Sequence, residues 1–176
     1  MTNSKFEIRN SKFYIFILVS CAALFFVGCG GYSSKPLYSQ DIKSVYVEMF
    51  DNATFTRDVE YDLTDAVAKR IEAETPYKIV SDRSRADTVL SGRVTGIGSS
   101  PLTIERETGR ALEQQAEVTA QFSWKNLKTG EYLLENKEAT ATASYSEFQQ
   151  QGFDYASKTA ANKLAERIVE QMQTGW

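Results

Sequence analysis

Leu112-Glu-Gln-Gln-Ala-Glu-Val-Thr-Ala-Gln-Phe-Ser-Trp124 alternates without a break. Its even positions carry Leu, Gln, Ala, Val, Ala, Phe and Trp, while the odd positions from Glu113 to Lys125 are all polar. Successive side chains of a strand point to opposite faces, so this stretch specifies a β-strand with one buried face and one wet face. At about 3.4 Å per residue it runs for over ~40 Å, which predicts that part of it projects beyond a sheet of ordinary strands. Asn126-Leu127-Lys128-Thr129-Gly130 then reads as a hairpin turn, with glycine where a left-handed residue is needed. The returning strand starts with Tyr132 and Leu134 inward and changes phase to Ala139, Ala141, Ala143 and Tyr145. A slip of one residue flips every side chain, so a bulge is expected between Glu135 and Glu138.

The alanines of that returning strand invite a helix to approach closely, and one follows Gly152. Phe153, Ala156, Ala160, Ala161, Leu164, Ile168 and Met172 share its face, and it ends near Gly175-Trp176. On the other side of the long strand, Lys43 to Phe50 reads as a strand with Val45, Val47 and Met49 on one face, closed by a turn at Phe50-Asp51-Asn52-Ala53-Thr54. From Arg57 to Thr75 the residues Val59, Leu63, Ala66, Val67 and Ile71 recur at helical spacing, and Pro76 stops the helix. Asp58, Glu60 and Asp62 near its start and Lys69 and Arg70 toward its end suit the helix dipole. Tyr77 to Val80 is a short strand, Thr88 to about Gly98 a longer one, and Ser99 to Arg110 a loop. The fold class expected is α+β: two helices packed on one face of a mixed, mostly antiparallel sheet of four to five strands, in the order β-α-β-β-β-β-α.

The N-terminal region sets location. Lys5, Arg9 and Lys12, opposed by Glu7, precede an apolar run from Phe13 to Val27, the shape of a secretory signal and short for a spanning helix. Phe26-Val27-Gly28-Cys29 resembles the lipobox of bacterial lipoproteins, with Phe26 in place of the usual Leu. The resemblance implies that Cys29 is acylated, carrying diacylglycerol and palmitate, and becomes the first mature residue; the alternative is an uncleaved membrane anchor. Several acyl chains on one residue hold a protein durably on a bilayer. The division expected is 1–28 signal peptide, 29–41 acylated tether and 42–176 a single domain. Gly30 after the cysteine implies passage to the outer membrane, facing the periplasm.

Composition excludes several classes of function. Residues 1–28 take three basic residues and one acidic residue with them, so the net charge of −3 becomes −5. An acidic chain without a concentrated basic face is unsuited to nucleic acid. Cys21 leaves with the signal, so there is no disulfide framework. The chain has no histidine, which removes Ser-His and Cys-His nucleophiles and His-ligated metal sites. Gly92, Gly96 and Gly98 lack phosphate-loop spacing. No catalytic residue, metal or cofactor is expected, apart from the covalent lipid groups on Cys29.

Cys29-Gly30-Gly31-Tyr32, the strand ending in Phe50-Asp51-Asn52-Ala53-Thr54-Phe55, the helix bearing Leu63-Thr64-Asp65-Ala66, the stretch Ala86-Asp87-Thr88-Val89-Leu90-Ser91-Gly92 and the strand closing in Trp124-Lys125-Asn126-Leu127-Lys128-Thr129-Gly130 together resemble the lipopolysaccharide-assembly lipoproteins (LptE-like). That resemblance implies a lipoprotein lodged in a large outer-membrane β-barrel, assisting assembly of the barrel and delivery of lipopolysaccharide to the cell surface. It also implies that Arg106, with Arg110 beside it, contacts lipopolysaccharide. Glu105 and Glu107 flank Arg106 and oppose a phosphate there. Arg83 and Arg85 form a second basic turn that Asp82 and Asp87 are expected to neutralise, and Lys125 and Lys128 stand at a hairpin. The competing reading is a lipid-anchored periplasmic scaffold or regulator of a cell-wall synthase or secretion channel, where similar strand-helix-strand domains with a Phe-x-Asn turn occur.

Overall fold

The computed structural model describes residues 37–173. Cys29, the signal-like segment 1–28, the first part of the expected tether and the helix end at Gly175-Trp176 lie outside the described residues. The chain runs through β1 (Ser44–Val47), β2 (Asp51–Asn52), α1 (Val59–Glu74), β3 (Lys78–Ile79), β4 (Thr88–Ile104), β5 (Ala111–Asn126), β6 (Tyr132–Tyr145) and α2 (Phe153–Gln171), with 3-10 turns at Arg83–Arg85 and Glu147–Gln149.

The alternating stretch is β5, and its phase decides the architecture. Ala116, Val118, Ala120, Phe122 and Trp124 are buried, and they join the buried stripes of both helices in one core. β5 pairs antiparallel with β4 on one side and β6 on the other. β1 lies parallel to both β3 and β4, and such neighbours need a crossover connection, which α1 supplies. The sheet order is β3-β1-β4-β5-β6, with β2 pairing β4 past the end of β1. The expected class therefore holds. The sheet has six strands rather than four to five because the expected turn at Asp51-Asn52 makes a two-residue ladder with Arg93 and Val94.

The α1 stripe Val59, Leu63, Ala66, Val67 and Ile71 is buried as its spacing requires. On α2 the alanines Ala156, Ala160, Ala161 and Ala165 are buried in the same cluster as Ala139, Ala141 and Ala143 of β6, small side chains on both elements. The bulge falls in the expected interval: Phe122 pairs with Lys137 and Trp124 with Leu134, leaving Glu135 and Asn136 opposite Ser123. Asn136 takes φ 46°, and its N–H donates to Ser123 Oγ at 3.0 Å. At the β6 edge, Lys163 Nζ donates to the Thr142 carbonyl at 3.2 Å and the Arg167 guanidinium donates to the Thr140 carbonyl. These cations cover strand groups that would otherwise invite another strand.

Three expectations need correction. Ser99 to Ile104 is strand, not loop, and pairs with Ala116 to Ala111. Ser-Ser-Pro lacks strand propensity, but a β5 of this length needs a partner for its backbone groups, and register shifts beside Pro101 accommodate the missing N–H. Met49 does not face the core: it is 50% exposed, and Phe50 is buried instead. Phe50 seats against Gly92, where a Cβ would fall 2.6 Å from both Phe50 Cε1 and the Gln121 carbonyl. Tyr132 is half exposed because a second register shift, between Trp124 and Lys125, pairs it with Lys125 of the wet face, whereas Leu134 pairs with Trp124 and packs on the core.

Candidate functional site

With both helices on one face, the opposite face of the sheet is bare. It carries Glu117, Thr119, Gln121 and Ser123 from β5 beside Thr140, Thr142 and Ser144 from β6, none of them buried. Thr119 and Thr140 hydroxyls bond across the strands at 2.9 Å. At one corner a shallow hollow of about 640 Å³ is lined by Glu48, Asp51, Ser91, Arg93, Gln121 and Asn136 among others. Asp51 and Arg93 approach to 4.0 Å across it. This face offers hydrogen bonds and water-mediated contacts rather than an apolar patch.

Arg106 and Arg110 come together at the tip of the β4–β5 arm. Gly109 takes φ 70° to close the turn, Gly109 N–H donates to the Glu105 carbonyl at 2.9 Å, and Glu105 N–H donates to the Arg110 carbonyl at 2.8 Å. The Thr108 hydroxyl donates to the Glu105 carboxylate, so one of the two acidic neighbours is engaged within the turn. Arg110 lies 4.6 Å over the ring of Phe148, from the turn after β6. The Arg106 side chain is exposed and makes no ion pair or hydrogen bond among the described residues. Leu102, Ile104 and Phe148 are exposed in the same region, at 48%, 53% and 59%. The arm tip thus sets guanidinium groups beside bare apolar side chains. Phe148 was not legible as part of it, since no local pattern tells where a residue 38 positions after Arg110 will fold.

The arm tip and the start of the described chain lie at opposite ends of β5. Tyr38 packs on Tyr77 and Tyr77 on Trp124, at ring separations of 5.7 and 5.8 Å. From Trp124 to Ala111 the strand covers roughly 40 Å.

Of the other basic residues, Arg83, Lys125 and Lys128 are engaged within the domain. The Asp82 carboxylate accepts from the Ser84 hydroxyl and N–H, both at 2.8 Å, and these bonds hold its pKa below the usual value. Arg83 pairs with Glu48 at 3.2 Å. Asp87 does not neutralise that turn. It binds Lys128 at 2.5 Å and accepts from the backbone N–H groups of Lys43 and Ser44 at 2.9 and 3.0 Å. The Lys128 bond first, then those of Lys43 and Ser44, bring its pKa down to about 2. Lys128 is therefore a clasp between the β5–β6 hairpin and the sheet, and Lys125 lies 5.0 Å over the ring of Tyr132.

Among the described residues no group of His, Cys, Asp or Glu could hold a metal ion, and no helix is long and apolar enough to cross a membrane. A family model described as LptE, lipopolysaccharide-assembly, matches residues 42–173. No curated protein shows a significant match to the chain. In fold the chain is similar to a hypothetical protein from Chlamydia trachomatis (TM-score 0.53, 8% identity, covering 74% of this chain and 95% of that one). It is similar to uncharacterized lipoprotein B from Nitrosomonas europaea (0.51, 14%, 81% and 89%). The same holds for the PelC dodecamer from Paraburkholderia phytofirmans (0.50, 16%, 80% and 96%). At such identities the likeness is one of fold.

Proposed function

Because the chain belongs to the LptE family of lipopolysaccharide-assembly proteins, we propose that it is an outer-membrane lipoprotein, held by acyl groups on Cys29 and facing the periplasm, that acts by binding and without catalysis. In this reading it assists the assembly of a large lipopolysaccharide-translocating β-barrel and the delivery of lipopolysaccharide to the cell surface. The observation that carries it is the bare polar sheet face, opposite a face covered by both helices. Barrel lumens are polar, and a domain seated in one needs such a surface. Arg106 and Arg110 at the arm tip would meet phosphate groups, and the exposed Leu102, Ile104 and Phe148 suit acyl chains.

Depletion of the chain tests the reading. The expected result is loss of folded barrel from the outer membrane together with loss of lipopolysaccharide from the surface. Normal levels of both, with a defect in cell-wall synthesis or secretion, would favour the scaffold or regulator instead.

A further inference from the structure

Phe148 is fixed at the arm tip although its side chain stays largely in solvent. Gln149 N–H donates to the Ser146 carbonyl at 3.0 Å, closing the turn that carries the ring. The Ser146 hydroxyl donates to the Leu112 carbonyl at 3.0 Å, and the Tyr145 hydroxyl donates to Gln114 Oε1 at 3.1 Å. These bonds tie the turn after β6 to the start of β5, a few residues from Arg110, and set the Phe148 ring under the Arg110 guanidinium. The Arg110 backbone is fixed as well. Its N–H donates to the Thr108 hydroxyl oxygen at 3.3 Å, and its carbonyl accepts from Glu105 N–H at 2.8 Å.

What the ring leaves open is the point. Arg70 and Arg83 use guanidinium N–H groups on the carboxylates of Glu74 and Glu48, at 2.6 and 3.2 Å, and Arg167 uses one on the Thr140 carbonyl. The exposed Arg110 side chain makes no ion pair or hydrogen bond among the described residues. A contact between a cation and a ring engages no oxygen acceptor, so the planar fork of donors that matches a phosphate stays available. Holding a long side chain in place before the ligand arrives also lowers the entropy lost on binding. Arg106 has no such support, and Glu105 and Glu107 flank it in the chain.

We propose that Phe148 is a positioning residue that makes Arg110, ahead of Arg106, the phosphate-binding group of the arm tip; this rests on the reading above that the arm tip meets lipopolysaccharide. The group recognised is a phosphate carried by the glycolipid.

The test measures binding of the full lipidated chain, in detergent, to micelles carrying lipopolysaccharide, lipopolysaccharide stripped of its phosphates, or phosphatidylglycerol. Phe148→Ala should weaken binding to intact lipopolysaccharide about threefold to tenfold and leave binding to the stripped form unchanged. Phe148→Trp should keep the affinity of the parent. Added to Arg110→Gln, Phe148→Ala should cost nothing more, since the ring acts through the arginine. Arg110→Gln should also cost more than Arg106→Gln. An equal loss on the stripped form, or an undiminished loss beside Arg110→Gln, would make Phe148 a direct apolar contact and overturn the inference while leaving the lipopolysaccharide reading intact. So would an unchanged affinity of Phe148→Ala, or a larger loss from Arg106→Gln. The same losses on phosphatidylglycerol as on lipopolysaccharide would assign the site to a phospholipid headgroup and overturn the inference as well. No binding of lipopolysaccharide by the parent chain would overturn the reading of the arm tip itself.

Discussion

Replacing Asp87 with Asn should destabilise the domain, and by an amount that depends on pH in a defined way. The carboxylate accepts from Lys128 and from two backbone N–H groups, and its pKa falls from 3.8 to about 2. Taken at face value that shift corresponds to roughly 2.4 kcal/mol. Asp87 itself is only 15% exposed, but the Lys128 side chain is 69% exposed, so solvent screens its share. The expected loss at neutral pH is therefore about 1–2 kcal/mol, and Lys128→Ala should cost about 0.5 kcal/mol. Because the folded-state pKa is the lower one, the stabilisation is complete above the unfolded value of 3.8 and disappears as pH falls through about 2. Urea unfolding followed by tryptophan fluorescence, with Trp124 buried as a reporter, measures it. The Asn variant should unfold earlier than the parent at pH 7, and the two curves should converge between about pH 4 and 2. An equal gap at pH 7 and near pH 2 would show that the effect is packing, and no gap at pH 7 would refute the clasp.

Arg106→Glu should weaken lipopolysaccharide binding while leaving the far-UV spectrum unchanged, since an exposed loop charge contributes little to folding; an unaltered affinity removes Arg106 from the site. Cys29→Ala should abolish incorporation of radiolabelled palmitate, because that thiol is the acceptor in the proposed anchor; label in the variant would refute it. Gly92→Ala should lower stability by about 1–3 kcal/mol through overpacking, since its new methyl would meet Phe50 and the Gln121 carbonyl at 2.6 Å. A denaturation midpoint equal to that of the parent would contradict the close approach.

Periodicity made most of the fold legible. The strict alternation of β5, the helical stripes of α1 and α2, and the change of phase before Ala139 each mark one burial face, and it is buried from Ala116 to Trp124 on β5, from Val59 to Ile71 on α1, from Ala156 to Ile168 on α2 and from Ala139 to Tyr145 on β6, with Leu112, Gln114 and Phe153 at the margins half-buried. What stayed hidden depends on tertiary context. Ser99 to Ile104 becomes strand because β5 demands a partner, not because Ser-Ser-Pro favours one. The exchange of Met49 for Phe50 in the core depends on the space above Gly92, which local sequence does not reveal. The candidate site was legible in part. Arg106 and Arg110 do share the arm tip, but the ring under Arg110 comes from Phe148, and the partner of Lys128 is Asp87, 41 residues away in sequence. Such pairings are set by topology.

A domain proposed to work by seating against a large β-barrel should be recovered with that barrel. Gentle detergent extraction of the intact lipidated chain, with identification of what copurifies, tests it most directly. One large outer-membrane β-barrel protein in a stable complex is the expected result. A cell-wall synthase, a secretion channel or a homo-oligomeric ring in place of the barrel would contradict it.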